Sequence, residues 1–267
     1  MKIEYESTYI AFLDILGFRY LVRNNSHKVL CSIYDGLLRF AVDSCVCHGK
    51  VKIDQGNAVL SSDKVSLNSL VISDSILFWT DNDNNDSLEE LIWVVRMFMD
   101  TSFRTGIPTR GAISIGSLSF RDITSPTPKI NSIKTLFGRA LVDVYDRVSS
   151  QEWSGGVLLP HCVERYTEHS QSPDAAKLNL ENLNDQEGNK LLIRYPVPYK
   201  NGHQIDEWAL QWVRHTSYLP NEKQVEDCFA MHNKPVTDDS TKRKISNTVA
   251  FWRTIRSIED QEVKHVE

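Results

Sequence analysis

The stretch YIAFLDILGF, Tyr9 to Phe18, limits the architecture of this chain more than any other. Its apolar run leads to Asp14 and closes soon after on a glycine and an aromatic residue, the pattern of a buried strand ending in a turn. An ionised carboxylate at the end of a core strand is costly unless a counter-charge or a metal ion meets it. A second acid is set up in the same way. VSLNSLVISDSILFWT offers two β-rich runs, Val65–Ile72 and Ile76–Thr80, pinched at Ser-Asp-Ser, which predicts a hairpin with Asp74 near its tip. Converging at one end of a sheet, Asp14 and Asp74 would repel each other unless a divalent cation lay between them. Mg²⁺ or Mn²⁺ suits that arrangement, taking carboxylate oxygens and leaving positions for substrate phosphates. The competing reading makes both acids turn or cap residues in unrelated places.

Around these strands, HKVLCSIYDGLLRFAVDSC has helical spacing, and the polar GKVKIDQGNAVLSSDK reads as a loop or irregular hairpin. DNDNNDS predicts a turn with an N-cap at Asp86 or Ser87, and the amphipathic helix that follows stops at Gly106. IPTRGAISIGSLSF is a further strand, with small residues where a backbone or ligand can approach. IKTLFGRALVDVYDRVSSQ places Leu136, Leu141, Val144 and Val148 at helical spacing, and GGVLLP is a short strand. Beyond Pro160 the pattern loosens. KLLIRYPVPYK suggests one more strand, confined to an edge by its prolines, and the last sixty or so residues read mainly as helices. Trp153, Trp208, Trp212 and Trp252 require that half to be packed, and no linker or internal repeat separates it. The expected organisation is a domain over residues 1–165 with an extension, 166–267, packed on it.

A net charge of -5 and a pI near 5.9 give no nucleic-acid groove and no polybasic membrane patch. No apolar run approaches the roughly 20 residues of a membrane span, and MKIEYESTYI lacks the marks of a signal peptide. The expectation is a cytoplasmic protein that binds neither nucleic acid nor membrane. The five scattered cysteines are expected to be free thiols. Cys45, Cys47 and His48 lie close together but have no second ligand cluster at zinc spacing, so buried thiols at a helix end are the better reading.

Asp14 is followed by Ile15, Leu16, Gly17 and Phe18, a glycine turn into a helix, where free N–H groups suit phosphate oxygens. FLDILGF resembles the first metal motif of class III nucleotidyl cyclases, and VISDSILFW resembles their second metal hairpin, with Ser73 where a glycine usually precedes the acid. TRGAISIGSL resembles the R-x-G-I-x-x-G strand that follows, and LFGRALVDVYDRVSSQ the glycine-led helix with catalytic polar residues. All four stand in the family's order over residues 9 to about 160. The combination looks most like the pyrimidine nucleotide cyclases of bacterial Pycsar antiphage systems.

The resemblance implies an α+β fold, a ferredoxin-like βαββαβ palm with a central antiparallel sheet and a helical C-terminal extension. It implies two Mg²⁺ or Mn²⁺ ions held by Asp14, Asp74 and the backbone carbonyl of Ile15, with triphosphate oxygens on the N–H groups of Leu16, Gly17 and Phe18. The family's base-reading positions fall on Asn68 and Thr135, neutral residues of short reach in place of the lysine and aspartate of an adenylate cyclase. Counting by twos puts Asn68 on the face of Asp74. The transition-state pair falls on Val142 and Asp146, which cannot do that work. A shift of one residue gives Asp143 and Arg147 at the required spacing, with Arg139, Arg110 and Tyr145 as alternates. The implied partners are UTP, or CTP next, a second copy in a head-to-tail homodimer with shared sites, and a separate effector activated by cyclic UMP or cyclic CMP. Two alternatives stay open, a domain that binds nucleotide without turnover and a different two-metal palm enzyme. The missing basic groove argues against a polymerase, and the missing Gly-Gly-Asp/Glu-Glu-Phe hairpin against a diguanylate cyclase.

Overall fold

The computed structural model describes residues 2–47, 51–54, 57–60, 67–123, 133–170, 172–185, 188–213 and 222–264. Strand β1 (Lys2–Ile15) leads through Gly17 into α1 (Phe18–Arg23), α2 (His27–Ser32), a π-helical stretch (Ile33–Leu38) and α3 (Arg39–Val46). The glycine-containing segment forms a small separate hairpin, β2 (Val51–Asp54) with β3 (Asn57–Leu60). Next come β4 (Leu67–Ile72), β5 (Ser75–Thr80), α4 (Asn85–Arg104) and the long β6 (Thr109–Ile123). Val65 and Ser66, expected at the start of β4, lie outside the described residues.

The four strands β1, β4, β5 and β6 lie in the spatial order β4-β5-β1-β6, every neighbour antiparallel. With helices after the first and third of them, this is a ferredoxin-like βαββαβ unit, the α+β class expected. Its two faces differ. Phe78 of β5 meets Phe98 of α4 edge-on at 5.7 Å, and Ala11 pairs with Phe78, so α4 covers that face. Phe12, one residue on, points the other way and meets Tyr145 at 5.9 Å.

Two expectations about element identity are corrected. Ile133–Phe137 is strand β7, paired with β6, and the helix starts only after Gly138, as α5 (Arg139–Ser150). Leu136 fits helical spacing by coincidence. The cap of α4 is Asn84, whose side chain accepts from the Ser87 N–H at 2.8 Å, and Asp86 sits in the first turn.

The chain then adds β8 (Gly156–Leu158), α6 (Pro160–Glu168), α7 (Pro173–Glu181), β9 (Leu192–Pro198), β10 (Gln204–Leu210), α8 (Glu222–Ala230) and α9 (Asp239–Lys264). The region past residue 165 is less purely helical than expected, because β10 and β9 extend the same sheet as β6-β8-β10-β9. β9 is the edge strand, as its prolines require. Trp153 stacks on Tyr195 at 5.3 Å, and Phe103 meets both Trp212 and Trp252 at about 5 Å, so one core runs across the expected boundary. Among the described residues no helix is long and apolar enough to cross a membrane.

Candidate active site

Asp14 sits opposite Ser75 of β5 on one side and Arg110 of β6 on the other, on the face that carries Phe12 and α5. Asp74 lies in the two-residue turn that joins β4 to β5. The Ile15 N–H donates to the Asp74 carbonyl at 2.9 Å, so the two acid-bearing chain ends are tied together. Ser73 takes φ 57°, a left-handed conformation that explains why a glycine suits this position.

Burial pushes the Asp14 carboxyl above the usual carboxylate range, and the negative charge of Asp74 adds to that, while the Arg110 guanidinium opposes it. Arg110 donates to Asp14 Oδ2 from Nε at 2.8 Å and to the Gln151 carbonyl at 2.8 Å, which fixes both partners. Behind this pair, Tyr199 bridges to Gln151, so the β9–β10 turn brings Lys200 close enough for its charge to act on Asp14. Burial and the Arg110 charge lower the Lys200 pKa. Arg110 was legible only as an alternate, and Lys200 carried no signal.

The turn after Asp14 is partly committed. Leu16 donates its N–H to the Pro108 carbonyl at 2.9 Å, so it anchors the loop and has no N–H left for a phosphate, contrary to the expectation. Among the described residues no hydrogen bond engages the N–H of Gly17 or Phe18. Gly17 takes φ 77°, which its lack of a Cβ permits.

The oxygen-rich donor set of Asp14, Asp74 and a backbone carbonyl suits a hard cation such as Mg²⁺ or Mn²⁺. A cation there would share Asp14 with Arg110. Among the described residues no group of three or more His, Cys, Asp and Glu is placed to hold a metal. Cys45 is buried on α3, and His48 lies outside the described residues.

Asn68 pairs with Trp79, which pairs with Ile10, so it shares the face of Asp14 at about 13 Å along the strands and two strands over. Its amide donates to Asp81 Oδ1 at 2.8 Å, where the Tyr5 hydroxyl also donates at 3.0 Å. Thr135 is exposed and lies opposite Arg121, at the far end of β6, roughly 36 Å of strand from Arg110. One chain therefore does not bring Thr135 to Asp14.

Asp143 and Arg147 share one face of α5, as their spacing requires. They line a cleft of about 580 Å³ with Arg139, Asp146, His161 and Glu164. Arg147 contacts Glu207 at 3.0 Å and donates to the Tyr199 hydroxyl at 3.1 Å. Burial alone would lower the Arg147 pKa, and these two partners raise it instead. His161 contacts the Ser114 hydroxyl at 2.7 Å, and burial lowers its pKa. Tyr199, Glu207 and His161 were not legible as site residues, because they act only through pairings made by the fold.

No protein-family model matches the chain, and no curated protein matches it. Solved structures do. The guanylate cyclase domain of RhGC from Catenaria anguillulae, in complex with GTP, is 12% identical over 78% of this chain and 98% of its own, with a TM-score of 0.48. The adenylyl cyclase CyaB from P. aeruginosa is 11% identical over 82% of this chain and 100% of its own, at 0.43. A class III adenylyl cyclase-like ATP-binding protein from Pseudomonas aeruginosa is 13% identical over 61% of this chain and 35% of its own, at 0.42.

Proposed function

We propose that this chain is a nucleotidyl cyclase of the class III type, converting UTP to 3′,5′-cyclic UMP and pyrophosphate, with CTP the next substrate. One observation carries the reading. Asp14 and Asp74 meet at adjacent strand ends, joined by the Ile15–Asp74 hydrogen bond, beside a turn with two unengaged N–H groups. The ordered motifs of the sequence support it, and the choice of UTP rests on them alone.

Asp14, Asp74 and the Ile15 carbonyl would hold Mg²⁺ or Mn²⁺, which when bound supplies Lewis acidity toward the ribose 3′-hydroxyl and the phosphates. Arg110 keeps the Asp14 carboxylate oriented and opposes the rise in its pKa. Gly17 and Phe18 would donate their N–H groups to the β- and γ-phosphates. The 3′-oxygen gives its proton to solvent water and bonds to the α-phosphorus as the bond from that phosphorus to the bridging β-phosphate oxygen breaks, and pyrophosphate leaves. Asn68, on the same face of the sheet, would turn its amide from Asp81 to the base edge. Thr135 lies far from Asp14 along β6, and in this scheme a second copy supplies it together with Arg147, so the working unit is a homodimer with shared sites. Asp143 would orient beside Arg147 on α5. The product would act on a separate effector in antiphage defence.

A second reading, a domain that binds nucleotide without turning it over, is favoured by one feature. Arg147 is already neutralised by Glu207, and Asp14 by Arg110. Incubating the protein with ATP, GTP, CTP and UTP separately, with Mn²⁺, and reading products by mass decides between them. Cyclic UMP or cyclic CMP is expected. Bound nucleotide with no product from any of the four would establish the second reading.

A further inference from the structure

Lys234 is 4% exposed and lies in a loop between α8 and α9. Its stem lies against Gly17, with Cδ 3.1 Å from where a Cβ on that glycine would sit. Its ammonium donates to the Gly106 carbonyl, in the turn that leads to Pro108, whose carbonyl anchors Leu16. The neighbouring residues tie the C-terminal end of α1 to that turn. His232 contacts the Thr105 carbonyl at 2.7 Å through Nε2 and accepts from Asn25 at 2.6 Å, and the Asn233 carbonyl accepts from Asn24 at 2.7 Å. His232 and Asn233 both take φ 59°, a left-handed conformation that asparagine adopts readily and histidine less so.

An ammonium has three donors, and a buried one ordinarily has a carboxylate for company. Among the described residues no carboxylate pairs with Lys234, and a single carbonyl accepts from it. A buried positive charge without a counter-ion, pressed against the turn that follows Asp14, fits a polyanion bound on the other side of that turn. We propose that Lys234 is a buried counter-charge for the di- or triphosphate group of the nucleotide, and that the 231–234 strap holds the phosphate turn in place. This rests on the reading of Gly17 and Phe18 as phosphate donors.

Burial lowers the Lys234 pKa to about 8, so its charge is lost just above neutrality in the free protein. The titratable group acting on it is the Cys228 thiol of α8, which Arg104 at the end of α4 influences in turn. From α1 and the α4–β6 turn it meets a glycine and a carbonyl. A bound polyphosphate favours the charged form and raises that pKa. By linkage, each unit of the rise is about a tenfold preference of the ligand for the protonated protein.

The test is titration of the full chain with inorganic pyrophosphate between pH 7 and 9.5, for the wild type, Lys234→Met and Lys234→Arg. Each affinity is read relative to Lys234→Arg, charged throughout, at the same pH, which cancels the ionisation of pyrophosphate itself. On that scale the wild-type affinity should fall about tenfold across the range. Lys234→Met should stay about tenfold weaker than Lys234→Arg throughout and be matched by the wild type only at the upper end. Thermal midpoints serve as the second readout. Loss of an uncompensated buried charge should leave Lys234→Met at least as stable as the wild type at pH 7, whereas a purely structural lysine predicts a lower midpoint. Pyrophosphate binding at pH 7 that is the same in wild type and Lys234→Met overturns this proposal alone. No binding by the wild type overturns the phosphate turn itself, and the proposal with it.

Discussion

The mouth formed by β1 and the β4–β5 turn and the cleft between α5 and α6 share one face of the sheet, and their charge problems are opposite. At the mouth a half-buried acid is held above its usual pKa by its surroundings, with a second acid beside it. In the cleft an arginine is held in its charged form by Glu207 and Tyr199. At the first place Arg110 offsets Asp14 and a second acid, Asp74, acts on the pair, whereas at the second Glu207 offsets Arg147. The proposed homodimer would join the mouth of one copy to the cleft of the other, and the comparison can be broken at either half.

The largest expected effect is at the mouth. Asp14→Ala should lower cyclase turnover by roughly 10³-fold or more while the thermal midpoint stays near that of the wild type, measured by product mass and calorimetry. Chelation of divalent ions should abolish product to the same degree and be reversed by Mn²⁺. In the cleft, Arg147→Gln should reduce turnover by roughly 10²-fold with nucleotide binding at the mouth retained. An equal loss of binding would show that the two regions are one site.

A smaller effect separates the regions by pH. Cation binding needs ionised Asp14, and its pKa is raised, so activity should fall with acidity at a higher pH than an exposed aspartate allows. Arg110→Met removes the charge that opposes the rise, and the acid limb of the pH–rate profile should move to higher pH still. The smallest is Asn68→Ala. Loss of one hydrogen bond, about 1 kcal/mol, should shift the ratio of UTP to CTP turnover by roughly fivefold without loss of fold.

What was legible in the sequence followed local pattern. β1, the β4–β5 hairpin and α4 carry long, clean periodicities, and their ends expose Asp14 and Asp74 directly. β7 was misread because five residues are too few to separate a strand from the first turn of the helix that follows. β10 hid for a different reason. In QIDEWAL Glu207 is buried, 6% exposed, together with Ala209 and Leu210, while Ile205 is exposed, the reverse of what hydropathy predicts for that pair. Arg147 and Tyr199, from other elements, make that burial tolerable. Lys234 is the same case, since its burial depends on a glycine and a carbonyl from elements distant in the chain. Charged residues whose partners are remote do not announce themselves in a single sequence.

The most direct test of the shared site is to mix purified Asp14→Ala and Arg147→Gln proteins, supply UTP and Mn²⁺, and measure cyclic UMP. Each variant alone should be nearly inactive, and the mixture should recover activity, because a mixed dimer holds one site with intact Asp14 from one copy and intact Arg147 from the other. A mixture as inactive as its components, beside an active wild type, would contradict the account.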